Sequence, residues 1–207
     1  MPTQRVVLPL PNVMDWVLYG PGADGSVRER ARAAFSNPAI GQLGIVGATP
    51  TAVTGMTGRF DWSGGSPQTT GKDYIDRLAV PASGEIRLTI SLTSGVDGHL
   101  DLYLGTIGVR GMIRTDLDGQ AGPAMSLAPP QPGRWTDAIV RINFRGIAGP
   151  HSMTVTVSTA DGSGSGSGSG QPAQGFQRGG SGGTSPRQPA AVSAGQISLA
   201  AAILLGS

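Results

Sequence analysis

Glu85-Ile86-Arg87-Leu88-Thr89-Ile90-Ser91-Leu92 alternates strictly, with Ile86, Leu88, Ile90 and Leu92 on one face. Successive side chains of an extended strand point to opposite sides, so this period of two predicts a strand buried on one face. After the turn residues Gly95-Val96-Asp97-Gly98, the segment His99-Leu100-Asp101-Leu102-Tyr103-Leu104 repeats the pattern, with Leu100, Leu102 and Leu104 inward. Working outward, Gly58–Trp62, Asp73–Val80, Ile139–Phe144 and Ser152–Val157 are further short runs bounded by Gly, Pro and Asp. Several short strands with such punctuation predict an all-β fold, a single antiparallel β-sandwich of jelly-roll type over residues 52–160.

The flanks read differently. Residues 1–51 form an expected N-terminal arm with one short helix: Ser26-Val27-Arg28-Glu29 has the spacing of a capping box, and Asn37-Pro38 would stop the helix after Ser36. Gly (34) and Pro (16) make up almost a quarter of the 207 residues, against about an eighth in average proteins. Much of that excess falls in 161–190, where Ser163–Gly170 alternates Ser and Gly. This composition buries too little apolar surface to offset chain entropy and predicts a linker. Residues 191–207 turn apolar again and are expected to be a docking peptide: Val192, Ile197, Leu199, Ile203, Leu204 and Leu205 would anchor an assembly.

The composition narrows the function classes. The formal net charge is +2 with 15 Lys and Arg against 13 Asp and Glu. Positive and negative residues are spread evenly, so no concentrated basic face for nucleic acid is expected. Cysteine is absent and there are 2 histidines, which leaves no disulfide framework and no thiolate metal centre. The first residues lack the unbroken apolar core of a secretory signal, and no apolar run has the length of about 20 residues that spans a bilayer. The expectation is a chain made in a cytoplasm.

Neither His99 nor His151 lies near a nucleophile elbow, so no catalytic residue is expected and the chain reads as non-enzymatic. Trp62, Tyr103 and Trp135 are candidate sugar-stacking residues. Asp116-Leu117-Asp118-Gly119 has the opening of an oxygen-ligand loop, and Asp97 with Asp101 forms a second acidic pair; calcium is the one cofactor these could take. Asp-x-Asp-Gly is also an ordinary hairpin turn.

The order of motifs resembles the bacterial pre-peptidase C-terminal β-sandwich. Its pieces are Asp73-Tyr74, Pro81-Ala82-Ser83-Gly84, Ile86–Leu92, Asp101-Leu102-Tyr103-Leu104, Gly133-Arg134-Trp135 and Met153–Val157. The stretch Arg114–Gln131 lacks that family's acidic loop density, and Ser152-Met153 stands where a final Tyr is usual. The resemblance implies an accessory module that binds polysaccharide, protein or calcium without catalysis. The ending Ser193–Leu199 is also similar to Gly-x-Ile-Ser-Leu segments of phage tail proteins. Together these lead to an expected virion subunit, a fibre or spike component of a phage-like particle. Its partners would be other virion subunits or itself, with a cell-surface polysaccharide as receptor. The alternative is a carbohydrate-binding or adhesion module of a bacterial surface protein.

Overall fold

A computed structural model describes residues 4–22, 26–56, 58–127, 131–146, 148–160 and 195–207. The linker expected at 161–190 and the anchor residue Val192 lie outside the described residues. Among the described residues there is no helix. The strands run in chain order: β1 Gln4–Leu8, β2 Val13–Pro21, β3 Val27–Ala33, β4 Gly44–Val46, β5 Thr51–Thr54 and β6 Gly58–Ser63. Next come β7 Gly65–Ser66, β8 Thr70–Tyr74, β9 Asp76–Pro81, β10 Glu85–Leu92, β11 Gly98–Ile107 and β12 Gly111–Leu117. The chain ends with β13 Gln120–Ala121, β14 Met125–Ser126, β15 Thr136–Phe144, β16 His151–Thr159 and β17 Gln196–Gly206.

These strands build the expected all-β antiparallel sandwich, with one small sheet added on its back. The middle sheet has the order β15-β11-β17-β2-β3-β7, with β9 beside part of β17 and β5 beyond β9. The front sheet is β13-β12-β16-β10-β4, and the back sheet is β1-β6-β8. Among the described residues the one parallel pair is β1 with β6. The alternating faces read from the sequence meet as expected: Ile86, Leu88 and Ile90 of β10 and Leu100, Leu102 and Leu104 of β11 are buried in one cluster between front and middle sheets. A second cluster, with Trp16, Leu18, Phe60, Trp62 and Tyr103, lies between middle and back sheets.

Three expectations about the flanks are corrected. Residues 1–51 are no arm, because β1 to β4 are members of all three sheets, so the compact unit does not begin at 52. The expected helix is strand β3, which pairs with β2 from Val17 opposite Arg32 to Pro21 opposite Val27. Good helix formers yield here because Ala31 and Ala33 bury into the back cluster while the ladder satisfies their backbone.

The terminal segment is no docking peptide either. β17 pairs with β11 along one edge, and with β9 and then β2 along the other. Ile197, Leu199, Ile203 and Leu204 are fully buried within their own chain, and the half-buried Leu205 packs against the back cluster. A β-bulge opposite Tyr103/Leu104 inserts Ala200, so Ala200 and Ala201 both serve the back cluster while Leu199 and Ala202 serve the front one. The apolar surface that would have called for a partner is satisfied internally.

A strand buried on both faces should be intolerant of truncation. Leu199→Ala is expected to cost about 2–5 kcal/mol, read as a lower urea midpoint with unchanged slope. Removing residues 196–207 should abolish cooperative unfolding altogether; a soluble, cooperatively folded truncated chain would contradict this topology.

Candidate functional site

The residues nominated for stacking and calcium are mostly occupied by the chain itself. Trp62 is buried, donates from Nε1 to the Gln68 carbonyl at 3.0 Å, and packs edge-on against Tyr74. Tyr103 is buried and packs edge-on against Phe60 with ring centroids 5.0 Å apart. Both are core residues, so neither offers a free face to a sugar. Trp135 is half-buried, and the guanidinium of Arg77 sits 4.4 Å from its ring centroid, covering one face.

The acidic residues do not converge on a metal position. Both carboxylate oxygens of Asp101 accept from Arg141, each at 2.7 Å. Asp97 accepts from the Gly146 amide, and Asp116 from the Gly119 amide at 2.7 Å. Asp118 accepts from the Ser152 amide at 2.8 Å and from the His151 ring. Among the described residues no group of three or more His, Asp or Glu gathers. Asp97, Asp116 and Asp118 lock turns and loops, while Asp101 pairs across β11 and β15.

The locks frame a cleft that the sequence did not single out. Asp118 and Gly119 both have positive φ, 50° and 85°, as the two-residue hairpin between β12 and β13 requires. The Asp118 amide donates to the Ser152 carbonyl at 3.0 Å, which pins the hairpin to the start of β16. On the facing side, Phe144 pairs with Gly98, where an added Cβ would lie 2.8 Å from the ring. The Gly146–Asp97 bond and a Gly149-to-Ser94 bond of 2.9 Å fix the chain just beyond it.

Between these two walls opens a cleft of about 340 Å³, floored by Leu92, Leu117 and Met153. Thr115, Gln120, Asn143 and Arg145 stand around it, with Phe144 beside them. It therefore combines an apolar floor and one aromatic ring with amide, hydroxyl and guanidinium groups. Small-molecule sites have this composition and are largely preformed. The sequence carried one faint signal of it: β15 ends on Phe144 between Asn143 and Arg145, an aromatic between two polar groups at a strand end.

No protein-family model matches the chain, and no curated protein matches its sequence. Among solved structures it is similar to TmCBM61 in complex with β-1,4-galactotriose, at 9% identity and a TM-score of 0.38, over 80% of this chain and 88% of that one. It is also similar to the enzymatically active domain of bacteriophage CBA120 tailspike protein 4, at 10% identity and a TM-score of 0.38. That match covers 91% of this chain and 22% of the tailspike chain. A family 35 carbohydrate-binding module from Clostridium thermocellum matches at 10% identity and a TM-score of 0.30, over 81% of this chain and all (100%) of that one.

The hairpin lock should titrate. The bond to Asp118, then the Ala148 carbonyl, raise the His151 pKa above its usual value, because a ring donating from both nitrogens is held as imidazolium. The Ser152 amide, then His151, lower the Asp118 pKa. A raised imidazole stabilises below the unfolded value and is lost as pH climbs through the folded one. A depressed carboxyl stabilises above its unfolded value and is lost on acidification. The difference in thermal midpoint between the native chain and His151→Ala should therefore be largest near about pH 5 and shrink toward both extremes. A difference that is flat across this range would remove the lock.

Proposed function

We propose that this chain is a glycan-binding module that attaches without catalysing, holding a saccharide in the cleft between the β12–β13 hairpin and the end of β15. The cleft itself carries the reading. A sugar ring has apolar C–H faces and a rim of hydroxyls that both donate and accept. The floor of Leu92, Leu117 and Met153 and the Phe144 ring suit the faces. Gln120 offers donors and an acceptor on one planar group, Thr115 a hydroxyl that does both, and Arg145 further donors. Both walls are held by hydrogen bonds within the chain, so little ordering opposes binding.

The particle-subunit reading drew on an apolar terminus seeking a partner, on the Gly/Ser-rich linker and on the likeness of Ser193–Leu199 to phage tail segments. With Ile197–Leu204 inside the middle sheet, the terminus no longer argues for a partner subunit, and attachment to a polysaccharide surface is the better-supported role.

Affinity electrophoresis through gels containing soluble galactan, xylan or β-glucan tests this. At least one polymer should retard the native chain. Gln120→Ala, an exposed change, should weaken that retardation about tenfold through lost hydrogen bonds, and Phe144→Ala at least as much. Retardation by none of the polymers, or equal retardation of both variants, would refute the proposal.

A further inference from the structure

A second cleft, of about 310 Å³, opens at the opposite edge of the sandwich, lined by Val27, Glu29, Arg32, Gln42 and Leu43 with Ile45. Arg32 pairs there with Glu29 at 3.3 Å and lies 3.9 Å from Asp15, so its charge is satisfied within the chain. At the saccharide cleft the arrangement differs, because one ionisable ring touches both walls.

His151 begins β16, opposite Leu92 of β10 and two residues before the floor residue Met153. Its Nδ1 meets the Asp118 carboxylate at the tip of the β12–β13 hairpin, and its Nε2 meets the Ala148 carbonyl at 3.2 Å. The hairpin is the wall that carries Leu117, Gln120 and Gly122. Ala148 lies on the connection from Phe144 and Arg145, the facing wall, to β16. Each wall has an anchor of its own. The hairpin is held to β16 through Asp118 and Ser152, and the connection to the β10–β11 turn through the Gly146 and Gly149 amides. His151 is the link between the two.

Both of its partners can only accept. A carboxylate and a backbone carbonyl have no proton to give, so both contacts need an N–H on the imidazole. A neutral imidazole has one N–H, and its other nitrogen would turn a lone pair toward an oxygen. Only the imidazolium satisfies both walls at once. On losing a proton the ring keeps one partner, and the charged Asp118 holds it better than a carbonyl does. The bond to Ala148 is then the one that is lost. The Asp118–Ser152 bonds need no ring, so the hairpin stays in place.

The surrounding charges leave this titration to His151 and Asp118. Asp118 raises the pKa of the ring, through its hydrogen bond above all. Asp116 is engaged by the Gly119 amide and Asp97 by the Gly146 amide. Arg145 lines the cleft, and β10 brings the uncharged Leu92 to this position.

We propose that His151 is a proton-operated clamp on the saccharide cleft: the imidazolium ties the two walls together, and the neutral ring frees the Phe144 wall. That the occupant is a saccharide rests on the glycan-binding reading; the clamp rests on the two acceptors. Binding is therefore stronger in acid, because a competent form that is a smaller fraction of the population lowers the apparent affinity by that fraction. The linkage is reciprocal, so a bound saccharide must in turn hold the proton more tightly.

Affinity electrophoresis in the neutral polymer that retards the native chain, repeated from about pH 5.5 to about pH 8.5, reads the clamp. A neutral polymer keeps the ligand's charge constant. The dissociation constant should rise about 3- to 10-fold toward the alkaline end. His151→Ala should bind as weakly as the native chain does there, at every pH, while His99→Ala keeps the native profile. Asp118→Asn retains an oxygen for the Ser152 amide but removes the charge, so the midpoint of the profile should move to lower pH. Damage to the fold would lower affinity without moving that midpoint. Equal retardation across the range refutes the clamp and leaves glycan binding standing. Strengthening in acid that persists in His151→Ala also refutes it, by assigning the proton to another group. If no polymer retards the chain at any pH, the glycan-binding reading fails and the clamp fails with it.

Discussion

Strand β17 carries hydrogen-bond ladders on both edges and apolar contacts on both faces, and the rest of the fold is registered through it. One edge is bound to β11 from Gln196 to Gly206; the other is divided between β9, at Gln196–Leu199, and β2, at Ala201–Leu205. Without it, the β11–β15 pair that carries Phe144 would have no connection to the β2–β3 pair that carries Tyr19 and Arg32. Its side chains also close both hydrophobic clusters, one toward each flanking sheet. This strand comes last in the chain, so its contacts with β2 bridge nearly the full sequence. Such long-range pairing carries a loop-closure cost and folds slowly.

A buried polar junction fixes the lower end of this arrangement. Arg77 on β9 is fully buried, donates to the Gly55 carbonyl at 2.9 Å, forms an ion pair with Asp137 on β15, and lies over Trp135. β9 and β15 are on opposite sides of the β11–β17 pair, so the Arg77 side chain crosses two strands to reach its partner. Gly105 on β11 makes room for it: an added Cβ there would lie 2.5 Å from the Arg77 guanidinium. A buried ion pair adds little net stability over a well-packed apolar pair, but losing one partner strands a buried charge at about 3–5 kcal/mol. Here it penalises any slip of β15 against β9, which an apolar contact would tolerate.

The parts of the fold legible in the sequence are those with one buried face. β10 and β11 alternate because one side of each meets the front cluster, and the turn at Pro81–Gly84 closes with Gly84 donating to Pro81 at 2.8 Å. β17 was illegible as a strand because both of its faces are buried. Gln-Ile-Ser-Leu-Ala-Ala-Ala-Ile-Leu-Leu has no period of two, and the bulge at Ala200 shifts its phase. β3 misled for another reason: Val-Arg-Glu-Arg-Ala-Arg-Ala is rich in helix formers, and two of its charges, Glu29 and Arg32, face inward, against the usual pattern. The aromatic candidates Trp62 and Tyr103 were visible as aromatics, but only the third layer reveals that they are covered. Thr115, Gln120, Asn143 and Arg145 come from separate strands and turns and form no motif, so only tertiary structure gathers them.

Both clefts lie where the sandwich cannot close. A sandwich of open sheets has two lateral edges, and at each the last strands leave backbone groups and inner-face positions that the opposite sheet does not fill. At one edge the front sheet ends in the short strands β13 and β14, and the gap to β15 is floored by core residues and rimmed by amides. At the other, β3 places Glu29 and Arg32 inward, where an exposed edge is protected from pairing with another chain by charge that cannot be buried cheaply. The same inward-facing pair lines a partly buried hollow beside Gln42 and Leu43, so the cost of protecting the edge is a sandwich left open there.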